Sequence, residues 1–139
     1  MSGNYGNGRP VEILLVEDNP GDVRLTREVL KDAKVPNNLS VVKDGVEAMT
    51  FLKQEGKHTD APRPDLILLD LNLPKKDGLE LLAEINSDEA LKDIRVVILT
   101  TSEAEHDIKR SFGMDASCYL IKPIDLERFL MMVKPFDFV

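Results

Sequence analysis

The 139-residue sequence predicts an α/β domain: a doubly wound, five-stranded parallel sheet with helices on both faces. Three observations carry that prediction. Short apolar runs and helical patterns alternate five times along the chain, the rhythm of repeated βαβ units. The runs, DLILLDL (65–71) most clearly, are almost continuously apolar, as strands buried on both faces are. Helix-start and turn chemistry, Asn19-Pro20 and Asp44-Gly45, falls where the apolar runs give out.

The elements follow in order. EILLVE (12–17) is the first strand. Asn19 then suits the helix N-cap and Pro20 the first helical position, with Val23, Leu25, Val29 and Leu30 supplying an apolar face. LSVVK (39–43) is the second strand, and VEAMTFLKQ (46–54) places Val46, Met49, Phe51 and Leu52 at mixed helical spacing. EGKHTDAPRP (55–64) is a polar loop with two prolines and no periodicity. After DLILLDL comes a helix at about 78–87, with Leu79, Leu82 and Ile85 on one stripe. RVVILT (95–100) is the fourth strand, and EAEHDIKRSFG closes a helix on Gly113, where a C-cap belongs. SCYLI (117–121) is the fifth strand, and a last helix covers about 125–134. MSGNYGNGRP reads as a disordered leader (1–10), with 11–139 as a single domain.

Composition narrows the function. A net charge of -7 disfavours non-specific contact with nucleic acid or an anionic membrane. No apolar run approaches transmembrane length, and the opening residues lack a signal-peptide pattern. The single cysteine, Cys118, excludes an internal disulfide and suits a reducing cytosol. No glycine-rich nucleotide fingerprint occurs.

The chemistry gathers at strand ends. Strand one finishes on Glu17 and Asp18, strand three on Asp70, strand four on Thr100 and strand five on Lys122. Parallel sheets of this class carry their sites beyond the carboxyl ends of the strands. Each residue alone reads as a solvated strand end or a helix cap; together they do not. Two carboxylates about 4 Å apart repel by roughly 4 kcal/mol at an effective dielectric near 20. One lysine does not neutralise three acids, whereas a hard divalent cation with oxygen ligands does, so the cluster predicts a Mg2+ site. Such a site suits phosphoryl transfer, with a carboxylate as nucleophile. Asp70 is the best candidate, because it lies on the central strand and a loop follows it. Thr100 would then donate to one phosphoryl oxygen and Lys122 would pair with another.

At these residues the chain resembles the receiver domains of two-component response regulators, over about residues 11–134. VEILLVEDN matches the opening strand and acidic pair, LILLDLNLPKKDG the phosphoacceptor strand and loop, VVILTTS the switch hydroxyl, and YLIKP the lysine. The resemblance implies a flavodoxin-like receiver fold with strand order 2-1-3-4-5. It implies Asp70 as the phosphorylated residue, and Glu17, Asp18, Asp70 and the backbone carbonyl of Asn72 as Mg2+ ligands. Thr100 and Lys122 would bind the phosphoryl group, Tyr119 would be an aromatic rotamer switch, and Pro123 would follow a cis peptide. The wording around PRPDLILLDLNLPKKDG is especially similar to small response regulators paired with phytochrome-type sensor kinases. Leu73 stands where methionine is frequent. Thr101 stands where a smaller residue is common, which bears on access to the phosphoryl group. The 55–64 loop is longer than in minimal receivers.

The implied function is a cytoplasmic phosphoacceptor switch rather than an enzyme, with only self-phosphorylation and slow self-dephosphorylation. A sensor histidine kinase would be the donor. The face formed by residues 103–134 would engage a downstream protein or a second copy of the chain. Neither nucleic acid nor membrane is an expected partner, and the length leaves no room for a DNA-binding output. Two alternatives stay open: a degenerate receiver acting as an unphosphorylated scaffold, and an aspartate-nucleophile phosphatase. The phosphatase normally needs an acid two residues after the nucleophile, where this chain has Asn72. His58 and His106 read as exposed histidines, Lys75-Lys76 as solvated, and Phe129 to Met132 as core contacts of the last helix. PFDFV at the end is apolar enough to pack back or to meet a second chain.

Overall fold

The computed structural model describes residues 10–33, 35–71, 78–100, 118–122 and 124–133. Five strands, β1 (Val11–Val16), β2 (Asn37–Val42), β3 (Leu66–Asp70), β4 (Arg95–Thr100) and β5 (Cys118–Ile121), form one parallel sheet in the order β2-β1-β3-β4-β5. The described α-helices are α1 (Pro20–Asp32), α2 (Gly45–Leu52), α3 (Gly78–Ser87) and a last helix, Leu126–Val133. The fold class and strand order are those the sequence predicts.

Strand alternation divides the interior in two. Leu14 and Val16 of β1, Ile67 and Leu69 of β3, and Val96 and Ile98 of β4 face a core shared with α2 and α3, which adds Phe51, Leu81, Leu82 and Ile85. Val11, Ile13 and Leu15, then Leu66 and Leu68, Val97 and Leu99, and Leu120 face the other core, with Leu30 of α1 and Phe129 of the last helix. The strands are continuously apolar because each residue meets one core or the other. Leu66 to Leu69 are wholly buried, and each such side chain contributes about 1.5–3 kcal/mol relative to exposure.

Asn19 caps α1: its Oδ1 accepts from the N–H of Gly21 at 2.8 Å and of Asp22 at 3.1 Å, with Pro20 opening the helix. Asp44 caps α2 by accepting from the Glu47 N–H at 2.8 Å. The helix faces are rotated slightly from the sequence expectation. On α1, Thr26 is buried and Leu25 is 43% exposed, because the sheet is met by the 26/30 ridge rather than by every apolar residue. On α3, Leu81 is wholly buried while Leu79 is half-buried, and Val46 of α2 faces solvent. The second helix stops at Leu52 rather than 54, since Gln54 turns into the left-handed region at φ 56.

The 55–64 segment is not wholly irregular: Gly56–His58 forms a 3-10 turn. His58 is half-buried there, not exposed. Its Nε2 lies 3.1 Å from Glu47 Oε2 and its ring packs against Phe51, with centroids 5.1 Å apart. Burying part of the imidazole is favourable because Phe51 supplies apolar contact and Glu47 a polar partner. Phe129 is core as expected, but Met131 is 71% exposed, lying on the opposite side of the last helix. The leader, His106, the Gly113 cap, Lys75-Lys76 and PFDFV lie outside the described residues, as does the 103–117 part of the 103–134 face. No helix among the described residues is long and apolar enough to cross a membrane.

Candidate functional site

The sheet's alternation also aims the charges. In β1 the residues at 11, 13 and 15 face the core under α1 and the last helix, and Glu17 continues that series one step past the strand. Asp70 continues the series of Leu66 and Leu68, and Lys122 that of Leu120. Pairing of Val16 with Leu69 sets Glu17 beside Asp70, and the Glu17 N–H extends the ladder to the Val42 carbonyl at 3.0 Å. Side chains with the same alternation at adjacent strand ends therefore converge.

Glu17, Asp18 and Asp70 each bring a carboxylate oxygen to within 4.8 Å of the others; Glu17 and Asp70 are buried and Asp18 is exposed. Lys122 Nζ donates to Glu17 Oε1 at 2.8 Å and stands 3.3 Å from Asp70 Oδ1. The second Glu17 oxygen, Oε2, accepts from the Asn19 N–H at 3.2 Å, tying the cluster to the cap of α1. No buried side-chain nitrogen or oxygen among the described residues lacks a hydrogen-bond partner.

Leu71 and Gly78, the described residues on either side of the next stretch, are hydrogen-bonded to each other. Leu71 donates to the Leu99 carbonyl at 3.3 Å, and the Gly78 N–H returns to the Leu71 carbonyl at 3.1 Å. Gly78 comes so close that an added Cβ would lie 2.7 Å from both the Asp70 carbonyl oxygen and the Leu71 Cα. Only glycine permits that approach of helix start to strand end.

Electrostatics records the crowding. Burial pushes the Glu17 carboxyl up from 4.5 to about 7; the nearby Asp70 adds to the rise, and the Lys122 ammonium opposes it. Burial alone would pull the Lys122 ammonium down, but hydrogen bonds to Glu17 and Asp22 and the Asp70 charge together hold it above the ordinary lysine range. The donor set fits a hard divalent cation: three carboxylates from two adjacent strand ends, all oxygen, with one open to water.

Thr100 closes β4, and its pairing with Ile121 places its backbone at the same sheet edge; Tyr119 pairs with Ile98. Their side chains lie outside the described part of the structure, as do Asn72 and Pro123 entirely. One participant was not foreseen. Asp22, in the first turn of α1, accepts from Lys122 Nζ at 3.0 Å. In sequence it reads as a first-turn acid complementing the helix dipole. The available signal was its position one turn beyond the first strand, on the helix that leaves the acidic edge.

Comparison with known proteins agrees with this geometry. The response regulator receiver domain model matches residues 13–134. Response regulator Rcp1 of Synechocystis sp. is 50% identical over 125 residues, covering 90% of this chain and 85% of that protein. The solved Mn(2+)-bound form of response regulator Rcp1 matches with a TM-score of 0.77 at 49% identity, covering 92% of each chain. The phosphorylated cyanobacterial phytochrome response regulator RcpA matches with a TM-score of 0.78 at 50% identity, covering 93% of this chain and 92% of that one. By its sheet order, its acidic edge and these likenesses, the chain belongs to the response regulator receiver family.

Proposed function

We propose that the chain is a Mg2+-dependent phosphoacceptor switch, with Asp70 taking a phosphoryl group from the phosphohistidine of a sensor histidine kinase in the cytoplasm. The observation that carries this reading is the meeting of Glu17, Asp18 and Asp70 carboxylates under the Lys122 ammonium. An Asp70 oxygen attacks phosphorus, the P–N bond of the phosphohistidine breaks, and its electron pair returns to the imidazole. Mg2+ held at this site would supply neutralisation of the phosphoryl oxygens as charge builds on them. Glu17, Asp18, Asp70 and the Asn72 carbonyl would hold it. Lys122 pairs with a phosphoryl oxygen and Thr100 donates to another, while Tyr119 follows the rearrangement. Likeness to a manganese-bound and to a phosphorylated relative supports both halves of the reading.

Likeness to a phytochrome response regulator favours a phytochrome-type kinase as donor. The output is a two-state shift at the 103–134 face, toward a downstream protein or a second copy, biased by contacts made only after phosphorylation. Self-phosphorylation and slow self-dephosphorylation are the only chemistry expected of the chain itself.

The test is thermal unfolding in EDTA, in Mg2+, and in Mg2+ with beryllium fluoride, a mimic of the aspartyl phosphate. Each ligand that binds only the folded chain raises stability, by about 2.7 kcal/mol at a hundred times its dissociation constant. Stepwise stabilisation is expected, with the fluoride step lost in Asp70→Asn. Kinase labelling of Asp70→Asn would show that another residue is the acceptor. No response to either ligand would put the scaffold reading first.

A further inference from the structure

Lys122 has one partner more than phosphoryl chemistry asks of it. Its ammonium faces Glu17 Oε1 at 2.8 Å, Asp22 Oδ2 at 3.0 Å and Asp70 Oδ1 at 3.3 Å. An ammonium has three protons to donate and accepts none; two go to hydrogen bonds with Glu17 and Asp22, and Asp70 is held as an ion pair. Phosphoryl oxygens arriving on Asp70 compete with these partners for the ammonium. Bound Mg2+ would take over the charge of Glu17, whose side chain is 1% exposed and which is one of the metal's ligands in the proposed reading. Asp22 has no such replacement, and it can yield because its side chain is 35% exposed and water replaces the lost partner. It also stands outside the carboxylate cluster that would hold a metal.

Two further features suit an exchange of partners. Asp22 is held at its place by the helix start, where its own N–H donates to Asn19 Oδ1 at 3.1 Å, so the carboxylate is presented from a fixed turn. A cavity of about 10 Å3, lined by Asp22, Thr26, Leu99 and Lys122 among others, lies beside the pair. That is about the smallest room that holds one water, the partner that would replace the ammonium at Asp22.

We propose that Asp22 is a positioning residue, a releasable tether that holds the Lys122 ammonium toward α1 and competes for it with phosphoryl oxygens on Asp70. The tether sets how tightly the site takes a phosphoryl group, and it rests on the reading of Asp70 as acceptor.

The test is calorimetric titration of beryllium fluoride into the full chain in saturating Mg2+, comparing wild type with Asp22→Asn, Asp22→Glu and Glu28→Gln. Asparagine keeps the shape and an acceptor oxygen but removes the charge. Its affinity is expected to rise roughly two- to fivefold, the range that a part-exposed ion pair supports. Asp22→Glu restores the charge and returns affinity toward wild type. Glu28→Gln removes an exposed charge elsewhere on α1 and leaves affinity unchanged. A merely structural role for Asp22 would weaken binding on substitution, not tighten it. Equal or weaker binding by Asp22→Asn, or the same gain from Glu28→Gln, overturns the tether while leaving the phosphoacceptor reading in place. Absence of fluoride binding by the wild-type chain overturns that reading, and the tether falls with it.

Discussion

In the metal-free chain the buried carboxyl of Glu17 should make stability fall as pH rises toward neutrality. The folded chain keeps a proton on Glu17 up to about 7, where an ordinary glutamate has lost it near 4.5. Across that window the folded state binds more protons than the unfolded one, so rising pH favours unfolding. One pKa unit is worth about 1.4 kcal/mol, and the whole interval therefore corresponds to about 3 kcal/mol. Below about 4.5 the penalty is absent, and above about 7 it is complete and flat. The assay is urea denaturation in EDTA from about pH 5 to pH 8.5, on wild type and on Glu17→Gln, whose amide does not titrate. Subtracting one curve from the other removes the remaining titrating groups that the two chains share. Wild type is expected to lose about 2–3 kcal/mol relative to the variant over that range. Excess Mg2+ should flatten or reverse the slope, because a cation favours the ionised cluster. A difference that stays flat or rises with pH in EDTA would refute the reasoning, since burial would then not be penalising the Glu17 charge.

Other perturbations follow from the same geometry. Gly78→Ala drives a methyl into the Asp70 carbonyl and the Leu71 Cα, both 2.7 Å from its position; overpacking against backbone is expected to cost about 1–3 kcal/mol and to weaken Mg2+ binding. Wild-type stability and Mg2+ affinity in that variant would show that the helix start is free to retreat. Lys122→Ala strips the counter-ion from two buried carboxylates, so in EDTA at neutral pH it should destabilise by roughly 3 kcal/mol and recover in Mg2+. It should still bind Mg2+ but lose the phosphorylation-dependent change, as read by amide NMR shifts after addition of beryllium fluoride. Glu47 has a lowered pKa: burial would raise it, but the Lys43 N–H, Lys57 and His58 together outweigh that effect. Its stabilisation is present above the ordinary glutamate value and fades as pH falls through the lower folded value, so Glu47→Gln should lose stability at neutral pH and converge with wild type in acid. An effect of up to about 1 kcal/mol is expected from pairs this near the surface, and a gap that widens in acid would contradict it.

What the sequence revealed, and what it hid, divides by the range of the interactions involved. The start of α1 is written locally: Asn19 and Pro20 satisfy and pre-set a helix end within three residues. The depth of β3 is written equally plainly, since four consecutive wholly buried residues leave no face for solvent. The convergence of Glu17, Asp18, Asp70 and Lys122 was legible because a parallel sheet carries all strand ends to one edge. Which residue of a helix meets the sheet was not. Thr26 displaced Leu25, and Leu81 displaced Leu79, because helix rotation is set by packing against elements distant in sequence. Asp22 and His58 were missed for a related reason: their partners, Lys122 and Glu47, are 100 and 11 residues away. Neither spacing leaves a periodic trace.

The shared alternation of core and charge has a consequence for how chain length can vary. Leu66 and Leu68 are in phase with Asp70, and Ile13 and Leu15 with Glu17. A single residue added or removed inside β1 or β3 would swing the acid to the far side of the sheet in the same stroke that turns the leucines over. Neither defect can occur without the other, so such a change cannot yield a sound fold with a displaced site, or a sound site on a weakened fold. Length is free to vary only where the phase is reset before the next strand begins. The stretch between Leu52 and Leu66, which turns twice through positive φ at Gln54 and Gly56, is such a place. Extra residues accumulate there at the amino end of β3, remote from the acids, and the sheet registers none of them.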